Sequence, residues 1–351
     1  MKSRAMPRLL LAASLGLTLA AATACVSTSS SGSKPLVYFI FNGYTPPYFA
    51  PMAKGIADAS KHYPGLDIKT VSANASASTE ISDINTAVSA GAKAIILNAI
   101  DTSVTQAAKS AAKKGIAIIT IDRDISDPSA RFAFIGDNDT RLGQQETTSC
   151  LQGLKASGLP KPWHVAALEG TLGASTAVDR YQATLTALKP DVASGSVREV
   201  LKTSANFDTA TAQSVMNTKL ASSTNVQAVI AGNDAMALGV LNSLKNHGLK
   251  AGKQTLVCGV DAQPESLAAI KAGTQYNTVT HSPYLEAFWA VEAVDNNLKH
   301  HTKPPASDPH GDVLVPQVVV TKANISSVSA WGTPKTIPAL PYGTSKPYPA
   351  G

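Results

Sequence analysis

The sequence predicts an α/β protein built from two successive doubly wound, flavodoxin-like units, and three observations predict it. First, short runs rich in Ile, Val, Leu and Ala recur, each closing on a hydrogen-bonding side chain. LVYFIF closes on Asn42, AIIL on Asn98, GIAIITI on Asp122 and Arg123, VAAL on Glu169, AVIAG on Asn233 and Asp234, and LVCGV on Asp261. A run that is apolar throughout fits a parallel strand covered by helices on both faces, and ligands bind at the carboxyl ends of such strands. Second, amphipathic stretches separate the runs, as in Thr79 to Ala90, where Ile81, Ile84, Ala87 and Val88 fall at helical spacing. Third, the alternation restarts near Trp163 instead of continuing, which implies two lobes with a cleft between them.

The elements follow in order. LVYFIFN is the first strand, Pro51 to His62 a helix, DIKTVSA a strand, and Thr79 to Ala90 the second helix. AKAIILN, a helix from Ser103 to Lys114 and the central strand ending at Asp122 complete the βαβ series. Arg131 to Ile135 reads as a short further strand, and Gly136 to Arg141 leads into another helix. The second series runs through WHVAALEG, the turn GTLGAS, a helix from Thr176 to Leu188, GSVREVL, and a helix from Phe207 to Ala221. NVQAVIAGND, AMALGVLNSLKNHG, QTLVCGVD, PESLAAIKAG and YNTVTHS then alternate strand and helix. Pro283 to Leu298 is helical, and VLVPQVVV reads as one last strand. The Pro- and Gly-rich end, AWGTPKTIPALPYGTSKPYPAG, reads as an irregular tail, packed on the surface or loose.

The chain start carries an address. Lys2, Arg4 and Arg8 precede the apolar LLLAASLGLTLAAA, which is too short to span a membrane stably. Small residues then lead to Cys25, as in a bacterial lipobox, although Ala22 stands where leucine is more usual; ordinary cleavage nearby is the alternative. Val26 to Lys34 is a Ser-rich tether. The resulting expectation is extracytoplasmic: a lipid on Cys25 anchors the chain to the outer face of the bacterial cell membrane. Net charge is +6; removal of the three leader charges leaves 6 − 3 = +3 on scattered residues. A phosphate-tracking stripe is absent from that pattern, so no nucleic-acid partner is expected. In an exported chain Cys150 and Cys258 either bridge or lie as two separate buried thiols, and spacing does not choose.

Motifs for catalysis are missing. No H-E-x-x-H, G-x-S-x-G, C-x-x-C or G-x-G-x-x-G occurs, and His300 with His301 reads as a solvated pair, so neither an enzyme nor a metal or cofactor site is expected. Asn233 and Asp234 could be a helix cap, Asp122 and Arg123 a simple strand-end pair, Tyr48 and Phe49 core residues, and Trp289 a core residue on an apolar helix. Thr171 to Ser175 could cradle a phosphate at a helix start, but it lacks the Gly and Lys of a P-loop.

Six stretches, in order, resemble the type I periplasmic binding proteins of sugar ABC importers, especially the ribose-binding branch: TPPYFAPMAKG, IDRD, GASTAVDR, ANFD, AGNDAMALG and GVDAQPE. The resemblance runs from about Leu36 to Thr321. It implies two lobes joined by a three-strand hinge, with crossings near Asp137, His281 and Asp312. The lobes would be residues 36–137 plus 282–312 and residues 138–281 plus 313–325, after a 1–25 leader and a 26–35 tether and before a 326–351 tail. It implies that Asp122 and Arg123 contact a sugar from one lobe and Arg180, Asn233 and Asp261 from the other. Tyr48, Phe49 and Phe207 would cover its apolar faces, with Asn42, Asn98 and His281 as further contacts. Pro46 replaces a hydrogen-bonding Asn of that branch and His281 a Gln, which leaves the identity of the sugar open. The implied partners are a monosaccharide or polyol and the permease and ATPase subunits of an importer, with the receptor itself a monomer. A sensory module for a chemoreceptor or kinase, or a receptor for a non-sugar solute, is the alternative.

Overall fold

The computed structural model describes residues 33–43, 47–305, 310–343 and 346–349. The leader, Cys25, most of the tether and Pro46 lie outside the described residues.

Two six-stranded sheets organise the chain. The first comprises β1 (Leu36–Phe41), β2 (Asp67–Ser72), β3 (Ala94–Asn98), β4 (Ala117–Ile121), β5 (Ala133–Gly136) and β11 (Asp312–Leu314), in the order β2-β1-β3-β4-β5-β11, with all pairings parallel. Helices α1 (Phe49–His62) and α9 (Pro283–His300) pack together on one face, and α2 (Ala77–Ser89) and α3 (Thr105–Lys113) cover the other. Alternate residues of β1 feed the two cores, Val37, Phe39 and Phe41 into one and Tyr38 and Ile40 into the other. This is why LVYFIF has no polar face.

The second sheet holds β6 (Trp163–Glu169), β7 (Val197–Ser204), β8 (Ala228–Ala231), β9 (Leu256–Cys258), β10 (Asn277–Val279) and β12 (Val319–Thr321), in the order β7-β6-β8-β9-β10-β12. Only β12 runs antiparallel among its pairings. Helices α4 (Asp139–Ala156) and α5 (Ser175–Ala193) pack on one side, and α6 (Thr209–Ser222) and α7 (Asp234–Asn246) on the other, with α8 (Pro264–Ala272) between β9 and β10. A bridge between Cys150 and Cys258 ties α4 to β9 inside this lobe, so the cysteines are paired.

Local chemistry sets the boundaries. Asp208 accepts from the Thr211 amide, so α6 starts at Thr209, two residues later than its apolar pattern suggests. Asn138 and Asn233 cap α4 and α7 in the same way. Helix α5 runs five residues past Leu188 despite Pro190, because proline removes a donor but its carbonyl still accepts from Ser194.

Two expectations need correction. VLVPQVVV is two strands, not one: β11 joins the first sheet and β12 the second. Val315 donates to Gly136 and Val318 to the Thr280 hydroxyl, so the third crossing lies at residues 315–318, and the lobe change assigned to 312/313 falls later. Pro316 supplies no donor and terminates pairing there. The tail, which the sequence left either packed on the surface or loose, is packed, and more deeply than a surface segment. Trp331, Ile337 and Leu340 are buried, and β13 (Thr336–Ile337) pairs with β14 (Tyr348–Pro349).

Candidate functional site

Strand ends from both sheets converge on a cavity of about 420 Å³, a volume usual for small-molecule sites. Asn42, Tyr48, Phe49, Asp122 and Arg123 line it from the first lobe, and Arg180, Phe207, Asn233 and Asp261 from the second. His281 lines it from the crossing between β10 and α9. Ten of the eleven residues singled out in the sequence therefore share one hollow. Asn98 does not line it. Fully buried behind the wall, its Nδ2 donates to Asp122 Oδ2 at 2.9 Å while its Oδ1 accepts from Asn42 at 2.5 Å, so it orients the carboxylate. Phe49 contributes an edge to the cavity but packs mainly against Phe41 and Tyr48. Glu169, another strand end, is not part of the lining.

The electrostatic centre is His281. Its Nε2 lies 2.9 Å from Tyr48 Oη, 3.0 Å from Glu286 Oε1 and 3.3 Å from both Asp122 Oδ1 and Asp137 Oδ2. Its Nδ1 lies 3.1 Å from Asp261 Oδ1 and 3.2 Å from Arg180 Nη2. Burial alone would depress the imidazole pKa, but the surrounding Asp137, Glu286, Asp122 and Asp261 carboxylates raise it well above the usual value. A charged imidazole donates from both nitrogens. Nδ1 therefore donates a hydrogen bond to Asp261, and Arg180 stands beside it as a second cation.

The same balance fixes the acids. Burial would raise Asp122, yet His281, Arg123 and Arg180 overcome it and hold the carboxyl at about 2. Asp139, which accepts from Arg180 Nε at 2.6 Å, is pushed up by burial to about 6 despite that contact. Burial also raises Glu286 and Asp137. The cation separating Asp122 from Asp261 is thus chiefly the imidazolium. Asp122, His281 and Glu286 present donor atoms within 4.8 Å of one another, a set that could hold a cation. The protonated His281 already puts positive charge at that point, with Arg180 reinforcing it.

The apolar walls are equally defined. Phe207 lies under two guanidinium groups, 5.7 Å from Arg123 and 5.9 Å from Arg180. Asn233 spends its Oδ1 on capping Met236, and because it also lines the cavity its amide nitrogen remains for another acceptor. Arg123 Nη1 donates to Ile100 at 3.2 Å, whereas its buried Nε has no hydrogen-bond partner among the described residues. Asp234, next to Asn233, turns inward and holds Gln263, Gln275 and Thr278, a purely structural role.

Backbone conformation sets these residues apart. Asp122, Asn206, Phe207, Asp261, Ala262 and Trp331 all have positive φ, a costly state for residues with a Cβ, and all but Ala262 line the cavity. Sequence reasoning missed Thr171, Thr176, Asn206, Gln263 and Trp331 among the lining residues. Trp331 was missed because it sits in the tail; the Trp-Gly pair that allows its turn was the only local signal.

Residues 37–302 match the family described as periplasmic binding protein domain. The ribose import binding protein of Bacillus subtilis is 32% identical over 253 residues, covering 72% of this chain and 78% of its own length. A putative rhizopine-binding protein of Rhizobium meliloti is 25% identical over 279 residues, 78% of this chain and 86% of the relative. Among solved structures, a Caulobacter myo-inositol binding protein bound to myo-inositol superposes with a TM-score of 0.75 at 25% identity, covering 85% of this chain and 97% of that one. Two parallel-sheet lobes, a cavity at their strand ends and the family match over most of the length agree: the chain belongs to the periplasmic binding protein domain family.

Proposed function

We propose that this protein is an extracytoplasmic solute-binding component of an ABC importer that takes a monosaccharide or cyclic polyol between its lobes, and that it is not an enzyme. The observation carrying this reading is the cavity itself: carboxylates, guanidinium groups, amides and aromatic rings from two lobes face one hollow. An uncharged polyol leaving water needs a partner for every hydroxyl it brings. Asp122, Asp261 and Asn42 accept or donate, Arg123, Arg180 and Asn233 donate to ring and hydroxyl oxygens, and Tyr48 and Phe207 cover C–H faces. Charge-assisted bonds of this kind contribute about 1.5–3 kcal/mol each. Ribose and myo-inositol, after which two of these relatives are named, are of this class. A ligand that bridges both half-sites favours the closed arrangement, which is the form an importer reads. The lipid anchor on Cys25, a monomeric state and delivery to permease and ATPase subunits belong to the same proposal.

Thermal shift against pentoses, hexoses and inositols tests it, since a ligand bound only by the native state raises Tm. One or a few of these should raise it in a concentration-dependent manner. A shift with a nucleobase or amino acid and with no carbohydrate would replace the ligand class.

A further inference from the structure

The family match ends at residue 302, yet a side chain from far beyond it reaches the cavity. After β12 the chain packs Ile325, Val328 and Ala330 against Ala262, Leu267 and Ile270 of the second lobe. The Trp331 amide then donates to Ala262 at 2.7 Å, next to Asp261. Six residues later Ile337, and then Leu340, enter the core of the first lobe with α1 and α9, where Pro338 accepts from the Trp289 indole at 2.9 Å. The tail therefore straps one lobe to the other, in addition to the three hinge crossings.

Trp331 sits on the second-lobe anchor of this strap and looks at the first. Its indole stands edge-on to Tyr48, ring centres 5.9 Å apart, and it is only 7% exposed. Tyr48 in turn lies 5.0 Å from the His281 ring. Trp331 holds φ 58°, and Gly332 follows at φ 61° against Thr280, where a Cβ would come within 2.7 Å of the Thr280 Cβ. A bulky aromatic in the left-handed region persists only where its surroundings hold it there.

We propose, resting on the function proposed above, that Trp331 is a specificity-determining residue: it closes one side of the cavity against Tyr48 and limits the ligand to a single ring with an apolar C–H face. The Tyr48–Trp331 corner unites the two lobes only when they are together, so the fit it sets is a fit of the closed state.

The test uses the chain with myo-inositol, D-ribose and the disaccharide melibiose as probes, read by calorimetry and tryptophan fluorescence. Trp163 and Trp289 are core residues away from the cavity lining, so a ligand-induced fluorescence change should survive in Trp163→Phe and Trp289→Phe and vanish in Trp331→Phe. Trp331→Ala should weaken the single-ring ligand at least tenfold and narrow its preference over melibiose, with Trp331→Phe restoring most of the affinity. Ile337→Ala, which loosens the strap without touching the cavity, should lower Tm and leave the preference between probes unchanged. If a single-ring probe binds but Trp331→Phe keeps the full fluorescence change, or Trp331→Ala keeps the same preference, the role of Trp331 is overturned and the proposed function stands. If neither single ring binds, the pentose, hexose or inositol that raises Tm takes their place; if none does, the single-ring class fails and this proposal fails with it.

Discussion

Replacing Asp122 with Asn isolates the charge at the cleft. Asn tolerates positive φ better than other residues with a Cβ, so the turn at φ 57° survives, and an amide oxygen can still accept from Asn98. The oxygen facing His281 at 3.3 Å, with its negative charge, is replaced by an amide NH2. In the folded chain this carboxyl is held at about 2, against 3.8 for an ordinary aspartate. A difference of 3.8 − 2 = 1.8 corresponds to about 2.4 kcal/mol at roughly 1.36 kcal/mol per pKa unit. Because the folded value is depressed, this stability is present above pH 3.8 and is lost as pH falls toward 2. Urea unfolding of the parent and Asp122→Asn, in steps from pH 7 to pH 3, should show a gap of about 2 kcal/mol at neutral pH that narrows in the most acidic steps. Ligand affinity should fall about 10- to 100-fold at pH 7, since a hydroxyl loses its charged acceptor. A gap that stays constant to pH 3, or no gap at pH 7, would refute the assigned ionisation.

Other substitutions probe separate parts of the structure. Phe207→Ala removes the ring shared by Arg123 and Arg180 and should raise the Kd about tenfold by calorimetry with little change in Tm; Gly170→Ala, whose Cβ would overlap that ring, should act in the same direction. Asp261→Ala should cost roughly 2 kcal/mol of binding, because a buried acceptor beside His281 disappears and the φ of 121° becomes no easier to hold. Glu80, pushed by burial to about 8, favours folding in its protonated form, so its contribution fades as pH rises from 4.5 to 8. Glu80→Gln should therefore gain stability relative to the parent across that interval, which Tm at pH 5 and pH 8 will show. The Cys150→Ala, Cys258→Ala double variant opens a loop spanning 108 residues and should lose about 4 kcal/mol in urea unfolding.

The fold was legible because a parallel strand buried on both faces must be apolar throughout, and LVYFIF, AIIL and AIITI can be little else. Strand ends were legible for a related reason. Asn42, Asp122 and Asp261 interrupt apolar runs where the chain leaves the sheet, and the parallel topology gathers those exits on one side. The break inside VLVPQVVV was signalled by Pro316 but was read through, since a pattern of apolar residues does not say which sheet they enter.

What the amino-acid order determined by itself was the alternation of strand and helix, the restart that makes two lobes, and the polar strand ends Asn42, Asp122, Arg123, Asn233 and Asp261 at the cavity, because these depend on local periodicity and on breaks in it; Tyr48, Phe49, Arg180, Phe207 and His281 were implied only by the family resemblance. Tertiary structure alone decided that Cys150 meets Cys258, that Asn98 stands behind Asp122, that His281 lies among four acidic side chains, and that a tryptophan from the tail completes the wall. Each of these depends on distance between residues far apart in the chain, and on how much water burial removes, and neither quantity is written in local sequence.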